Sequence, residues 1–355
     1  MCSTSTFFRI TGRTNFLRSF VIIRKQFLGQ ISNYNSPPVI RPCEGSAPRP
    51  LWSVMIPVYN CYNTLEETLT SVLKQDPGKD QMQIEVVDDG STDGDVKKLV
   101  EHLGKGRVEY FRKEQNEGSL ANFETCINRS RGRLVHLLHG DDKVRNGYYE
   151  KIGNLFEKYP QVGAAFCRYT TINEEGKVLW DHGREMNEDG IVDNWLYKIG
   201  SRQRLQYCTI TVKREVYEKL GGFYGVTYGE DWEMWVRIAA HYEVAYTPEI
   251  LAEYRVHPNS ISHRSYMDAR HVRDMHWVIE AIQQWLPKYL RKDLKKEASK
   301  HYAEYAMDVA NSIWHQTGNR KVTHKLMMET ARMYFNKEIL SKMVKIYTKM
   351  LINRR

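Results

Sequence analysis

Val86-Val87-Asp88-Asp89-Gly90-Ser91 and Leu137-Leu138-His139-Gly140-Asp141-Asp142 decide how this chain is read. Each is a short apolar run, of the kind that forms a buried strand, ending in adjacent carboxylates. Neighbouring carboxylates repel one another, and holding them together is costly without a cation. A divalent metal with oxygen ligands relieves that repulsion. Asp-Asp-Gly-Ser is also good turn and helix-cap chemistry, so one such pair decides little. Two pairs, each closing a strand of the same sheet, favour a ligand site, because loops at the carboxyl ends of parallel strands are where such sheets collect ligands.

The pattern around these two stretches alternates strands with amphipathic helices. Ser53–Val58 reads as a buried strand, Ile84–Val87 as a second, Val108–Phe111 as a third and Leu134–Leu138 as a fourth. Asn63, with Glu66 three residues on, predicts a capping box for a helix that places Leu65, Leu69, Val72 and Leu73 on one face. Further helices are expected over Asp95–Leu103, Leu120–Ser130 and Tyr148–Tyr159, the last stopped by Pro160. A strand over Val162–Tyr169, a hairpin turn at Asn173-Glu174-Glu175-Gly176 and helices over Lys213–Leu220 and Asp231–Ala240 follow. Repeated strand–helix units of this length imply an α/β fold, with a parallel sheet covered on both faces.

The chain has 355 residues, a formal net charge of +9 and 27% charged residues. Basic balance suits nucleic acid, an anionic membrane surface or phosphorylated small molecules, and cannot choose among them. The mean hydropathy is −0.58, and the most apolar early stretch, Phe16–Leu28, is interrupted by Arg18, Arg24 and Lys25. No spanning helix is expected. The six cysteines (Cys2, Cys43, Cys61, Cys126, Cys167 and Cys208) have no ligand-like spacing. They imply a reducing, cytoplasmic setting without a zinc site.

Residues 1–43 hold several Arg and no Asp or Glu. They read equally as a transit segment, a disordered basic arm, or upstream sequence from a misplaced start. Five prolines between Pro37 and Pro50 mark a linker, so the folded unit is expected to begin near Leu51. The expected division is a basic arm and linker over 1–50, a catalytic domain over 51–262 and a basic α-helical region over 263–355. In that last region the stripe Met343, Ile346, Tyr347, Met350, Leu351 reads as core first and as a membrane-facing surface second.

Pro57-Val58-Tyr59-Asn60, Asp88-Asp89-Gly90-Ser91-Thr92-Asp93, Asn116-Glu117-Gly118 and Gly140-Asp141-Asp142 together resemble the nucleotide-binding half of family 2 glycosyltransferases. Gly229-Glu230-Asp231-Trp232 and Tyr254-Arg255-Val256-His257 resemble the acceptor half. The resemblance covers about residues 51–262. It implies a GT-A nucleotide-diphospho-sugar transferase fold, Rossmann-like, with a mostly parallel mixed sheet between helices. It also implies a nucleoside-diphosphate sugar donor, Mn2+ or Mg2+, and inversion at the anomeric carbon.

Carried over by position, Pro57, Tyr59, Asn60 and Asn116 would line the nucleotide pocket, and Asp89 would accept a hydrogen bond from the base. Asp142 would ligate the metal, with Asp141 as ribose or metal contact. Many relatives carry another acidic residue two positions before Asp141, where this chain has His139, so the direct ligand set stays open. Asp231 matches the catalytic base, which must take a proton from the attacking hydroxyl; it also reads as a helix N-cap, a role that can coexist with the first because a helix start exposes the side chain. His257 could bind the metal or diphosphate, or close a turn; Arg255 is a candidate phosphate partner, and Trp232 either core or a stacking surface for the acceptor. The acceptor would be a glycan or lipid-linked glycan in polysaccharide assembly, its choice resting on the loop from Trp180 to Tyr207 and the C-terminal helices. Peripheral contact with the inner face of a membrane is a further expectation. A metal-dependent nucleotidyltransferase and a non-catalytic GT-A scaffold are the alternatives. No phosphate-binding GxxxxGK or GxGxxG loop and no nucleic-acid-binding motif is present, so nucleic acid is not an expected partner.

Overall fold

The computed structural model describes residues 36–43, 48–258 and 260–353. The readings of residues 1–35 lie outside the described residues, as do Arg354 and Arg355 of the basic C-terminal region. The first units alternate as expected: β1 (Trp52–Val58), α1 (Tyr62–Leu73), β2 (Met82–Asp88), α2 (Val96–Gly104), β3 (Glu109–Arg112), α3 (Ser119–Arg129) and β4 (Leu134–Leu137). Then come β5 (Lys143–Val144), α4 (Tyr148–Lys158), β6 (Ala164–Ile172), β7 (Val178–Asp181), β8 (Gly190–Ile191) and α5 (Trp195–Ser201). The strand β9 (Ile210–Lys213), α6 (Arg214–Leu220), α7 (Glu230–His241) and β10 (Val244–Arg255) complete the sheet. Helices α8 (Ile261–Met267), α9 (Arg270–Ala281), α10 (Lys288–Thr317), α11 (Arg320–Met333) and α12 (Lys337–Leu351) follow, with no strand among them.

The sheet order is β3-β2-β1-β4-β9-β6-β10-β5, with β7 on β6 and β8 on β10. The neighbours β3, β2, β1 and β4 run parallel, as do β6 and β10. Between these two groups β9 is antiparallel to both β4 and β6, so the sheet is mixed. Ile210–Lys213 is too short for its alternation to stand out, and only its two neighbours make it a central strand. The β6–β7 hairpin turns at the expected place, where Asn173 Oδ1 accepts from the Lys177 N–H at 2.8 Å and Gly176 takes φ 77°.

Two corrections concern the ends of segments. Helix α1 starts at Tyr62 with Cys61 at its cap position, so Asn63 lies inside the first turn and no capping box forms. The Tyr62 N–H is instead accepted by Asp93 Oδ2, 2.9 Å away on the loop after β2. The body of the fold also takes in chain upstream of Leu51. Ile40 is buried in the core, and the Gly222 N–H donates to Pro38 O at 2.9 Å.

The sheet is buried on both faces by two apolar clusters. One packs β-strand residues against α1, α2 and α4; the other joins α3 and α7 to α9 and the start of α10. A third, formed by α10, α11 and α12, holds Met343, Ile346 and Met350. Core packing is therefore correct for most of the C-terminal stripe, but Leu351 is exposed. Among the described residues no helix is long and apolar enough to cross a membrane.

Candidate active site

The register of the parallel strands puts the two acidic stretches side by side. Val58 pairs with Asp88 and Met55 with Leu137, so the loops after β1, β2 and β4 leave the same edge of the sheet. Backbone bonds continue the ladder beyond the strands: Asp89 N–H to Val58 O at 2.8 Å, Leu138 N–H to Met55 O at 3.0 Å, and Gly140 N–H to Pro57 O at 3.3 Å. Space is tight there. A Cβ on Gly140 would lie 2.6 Å from Cys61 Sγ, and one on Gly90, where φ is 77°, would lie 3.0 Å from Asn116 N. Helix α1 braces the second stretch through Thr64 Oγ1 to Gly140 O (2.9 Å) and Thr68 Oγ1 to Asp142 O (2.8 Å).

His139, Asp141 and Asp142 each offer a ligand atom, all within 4.8 Å of one another. His257 follows β10, the partner of the strand that begins directly after Asp142, and its Nε2 lies 3.0 Å from Asp141 Oδ2. Asp142 is buried and accepts the Arg255 N–H at 2.9 Å. Burial first, and the adjacent Asp141 charge second, push its carboxyl well above the usual range. Burial also opposes ionisation of Asp141, yet the hydrogen bond from His257 holds it below the usual carboxylate range. Burial pushes the His139 imidazole down, so the ring is neutral at neutral pH, the form that can ligate a cation. Its Nε2 is buried without a hydrogen-bond partner. An orphaned imidazole nitrogen beside two crowded carboxylates fits a divalent cation such as Mn2+.

Asp231 lies in the first turn of α7, which begins after Gly229 in the left-handed conformation. Gly229 holds the cap position, so the N-cap reading of Asp231 is set aside. Its Oδ1 accepts the Trp232 N–H at 2.8 Å, and its Oδ2 accepts from Gln203 Nε2 at 2.5 Å. Desolvation pushes the carboxyl up to about 7, against those hydrogen bonds. Its neighbour Glu230 is raised by the same burial and by the Asp231 charge, and accepts the Tyr207 hydroxyl at 3.1 Å.

Two tyrosines connect this base to the His139 cluster. The Tyr207 ring lies 4.4 Å from that of His139, centroid to centroid. The buried Tyr169 phenol is within electrostatic reach of both Asp142 and Asp231.

The remaining candidates divide. Tyr59 is exposed at the edge of the site, beside the buried Pro57. Asn60 takes φ 53° and clamps the loop after β2, accepting the Thr92 N–H at 2.8 Å. Asn116 is exposed and lies against Gly90. Asp89 is buried, with Oδ2 accepting from Gly118 N–H at 2.9 Å and Oδ1 accepting from Glu117 N–H at 3.1 Å and paired with Lys113 at 3.2 Å. A nucleobase would be an additional partner for a carboxylate already engaged on both oxygens.

One reading is corrected, and for Trp232 the core reading holds. The buried Arg255 guanidinium is consumed by Asp141 O, Asn173 O, Glu174 O and Glu67 Oε2, so it buttresses the site instead of reaching a phosphate. Trp232 is fully buried and donates to Ile199 O at 2.6 Å, which leaves no face for a sugar. Gln203, Tyr207, Tyr169 and Thr68 were not singled out from sequence. They sit in ordinary local patterns, and only the fold brings them to the acids.

Comparison with known proteins meets this geometry. Residues 53–221 match the family model described as Glycosyl transferase family 2. The uncharacterized protein MT1568 of Mycobacterium tuberculosis is 29% identical over 224 residues, 58% of this chain and 66% of that one. TuaG of Bacillus subtilis, a glycosyltransferase named for teichuronic acid biosynthesis, is 28% identical over 62% of this chain and 85% of its own. The chain spans just under two thirds of MT1568 and 37% of the glycosyltransferase MG060 of Mycoplasma genitalium.

Among solved structures, Staphylococcus aureus TarS 1–349 in complex with UDP-GlcNAc superposes with a TM-score of 0.60 at 14% identity, covering 79% of this chain and 81% of that one. The mannosyltransferase PcManGT of Pyrobaculum calidifontis, in complex with GDP-Man and Mn2+, gives 0.52 at 18% identity over 96% and 95%. At such identities these structures establish the shared GT-A fold. The matched segment, just under half of the chain, carries both acidic strand ends, and over it the chain is similar to glycosyltransferase family 2.

Proposed function

We propose that this chain is an inverting glycosyltransferase that moves a sugar from a nucleoside-diphosphate sugar to an acceptor hydroxyl of a polysaccharide or lipid-linked glycan. The observation that supports the proposal is the cluster of His139, Asp141 and Asp142, with the Tyr207 ring between His139 and Glu230, the neighbour of Asp231. The nucleotide would lie over the loops after β1 and β2, lined by Pro57, Tyr59, Asn60, Asp89 and Asn116. His139, Asp141 and Asp142 would hold Mn2+ or Mg2+, with His257 as a further ligand or as the group that orients Asp141. Such a cation neutralises charge growing on the departing diphosphate.

Asp231 accepts the proton of the acceptor hydroxyl as that oxygen forms its bond to the anomeric carbon. The bond from that carbon to the diphosphate oxygen breaks on the opposite face, and its electron pair leaves with the diphosphate. Inversion follows from the opposed faces. A carboxyl pushed up to about 7 is well matched to taking a proton at neutral pH. Nucleotide-sugar ligands in TarS and PcManGT support the donor class, and TuaG's name supports the polysaccharide setting. Free cysteines at Cys43, Cys61, Cys126, Cys167 and Cys208 support a reducing, cytoplasmic location.

A screen of UDP-, GDP- and dTDP-sugars for donor hydrolysis with Mn2+ or Mg2+, run beside Asp231→Asn, tests this. The expected result is metal-dependent turnover of one donor class, with the variant still binding the nucleoside diphosphate but no longer transferring. Turnover that is indifferent to Asp231 would overturn the assignment of the base.

A further inference from the structure

Charge is divided unequally along this molecule. Residues 51–262 carry 26 Lys and Arg against 33 Asp and Glu, whereas residues 263–355 carry 19 against 9. The domain that would hold the anionic donor is therefore acidic, and the basic excess belongs to the C-terminal helices. An asymmetry of this kind marks a region that meets an anionic surface.

Helix α12 gives that excess a shape. Its N-terminus is capped by Asn336, whose side chain accepts the Ile339 N–H at 2.8 Å. Ile339, Met343, Ile346 and Met350 face inward, in one cluster with Met307 and Ala310 of α10 and Leu326 of α11. That face satisfies the helix's need for a core contact. Yet Leu340, Val344 and Leu351, related by steps of four and seven, form a second apolar line with exposures of 47%, 55% and 81%. Phe335 before the helix and Ile352 after it are also exposed, at 58% and 63%. Lys337, one turn before Leu340, and Lys345, next to Val344, are exposed on the same helix, where the exposed Glu338 is the one carboxylate.

We propose that this outer face of α12 seats the enzyme on an anionic lipid surface, with Leu340, Val344 and Leu351 entering the headgroup boundary and the lysines contacting the lipid charge. A helix with a solvated function would place polar residues along that line. One that lies in a membrane interface needs this combination of an apolar line and flanking lysines. A second copy of the chain is the poorer occupant, because a two-fold contact through this face would bring two strongly basic regions together. The inference concerns a helix that supplies none of the candidate site residues and stands independently of the sugar-transfer reading.

The test is co-sedimentation of the full chain with vesicles of phosphatidylcholine alone or with about 30 mol% phosphatidylglycerol. Binding to the anionic vesicles should exceed binding to the neutral ones by about tenfold or more and should fall with added salt. A Leu340→Ser/Val344→Ser/Leu351→Ser variant should lose that binding while keeping the wild-type melting temperature and nucleoside-diphosphate binding, since all three side chains are exposed in the wild type. A Lys337→Ser/Lys345→Ser variant should weaken it less, leaving the apolar part. No preference for anionic vesicles, or a preference untouched by the triple variant, would overturn the proposal. So would a concentration-dependent dimer in solution that the triple variant abolishes.

Discussion

Replacing Gln203 by leucine removes the carboxamide hydrogen that Asp231 Oδ2 accepts at 2.5 Å, while leaving a side chain of similar volume in place. That hydrogen bond favours the ionised carboxylate, and burial works against it, with a balance near 7. A hydrogen bond to a charged group contributes about 1.5–3 kcal/mol, and one pKa unit corresponds to about 1.36 kcal/mol. Its loss should therefore raise the base by about one to two units. At pH 7 the ionised fraction would fall from about half to about a tenth or less. Because the base works deprotonated, the wild-type rate should rise with pH through about 7 and then level, and the rise in Gln203→Leu should be displaced to higher pH. The assay is a pH–rate profile of donor turnover in both proteins, with nucleoside-diphosphate binding as a control for folding. A variant that loses activity equally at every pH, or a wild type whose acid limb lies near pH 4, would refute the reasoning.

Three further outcomes are expected. Asp231→Asn should stabilise the protein more at pH 8 than at pH 5, by up to a few kcal/mol in thermal or urea unfolding. The raised carboxyl binds its proton more tightly folded than unfolded, so its contribution to stability declines as pH climbs from about 4 to about 7; equal melting-temperature changes at both pH values would contradict this. His139→Ala should weaken Mn2+ binding in the presence of nucleoside diphosphate by about tenfold or more, read by titration calorimetry, and unchanged affinity would remove His139 from the ligand set. Gly140→Ala should lower stability by about 1–3 kcal/mol, because its Cβ would meet Cys61 Sγ at 2.6 Å and Val58 Cγ2 at 3.0 Å, and an unchanged melting curve would show that the loop can yield.

The legible part of the fold was the part with local signals. Strands β1, β2 and β4 announce themselves as apolar runs that end in turn residues, and α3, α4 and α7 as amphipathic stretches of ordinary helical length. Where an element depends on partners, sequence failed. Strand β9 has four residues and becomes central only because β4 and β6 accept it between them. Asn63 carries cap chemistry, yet Asp93 from the next loop supplies the acceptor for the first N–H of α1. From sequence, Arg255 is a candidate phosphate partner, since a guanidinium suits phosphate. Four protein acceptors reach it first, and only folding brings them within range.

On its own, the amino-acid sequence determined which residues carry charge at strand ends, and from their order a family resemblance and an α/β fold. Strand-end position depends on short-range patterning, which is written locally. Tertiary structure alone decided which of those groups are engaged by protein partners and which keep open coordination. Asp89 is held by protein partners on both oxygens and the Arg255 guanidinium by four protein acceptors, whereas His139 has an unpartnered nitrogen and Asp231 is desolvated enough to serve as a base near neutrality. Burial and remote hydrogen bonds set those states, and both arise from contacts between segments far apart along the chain.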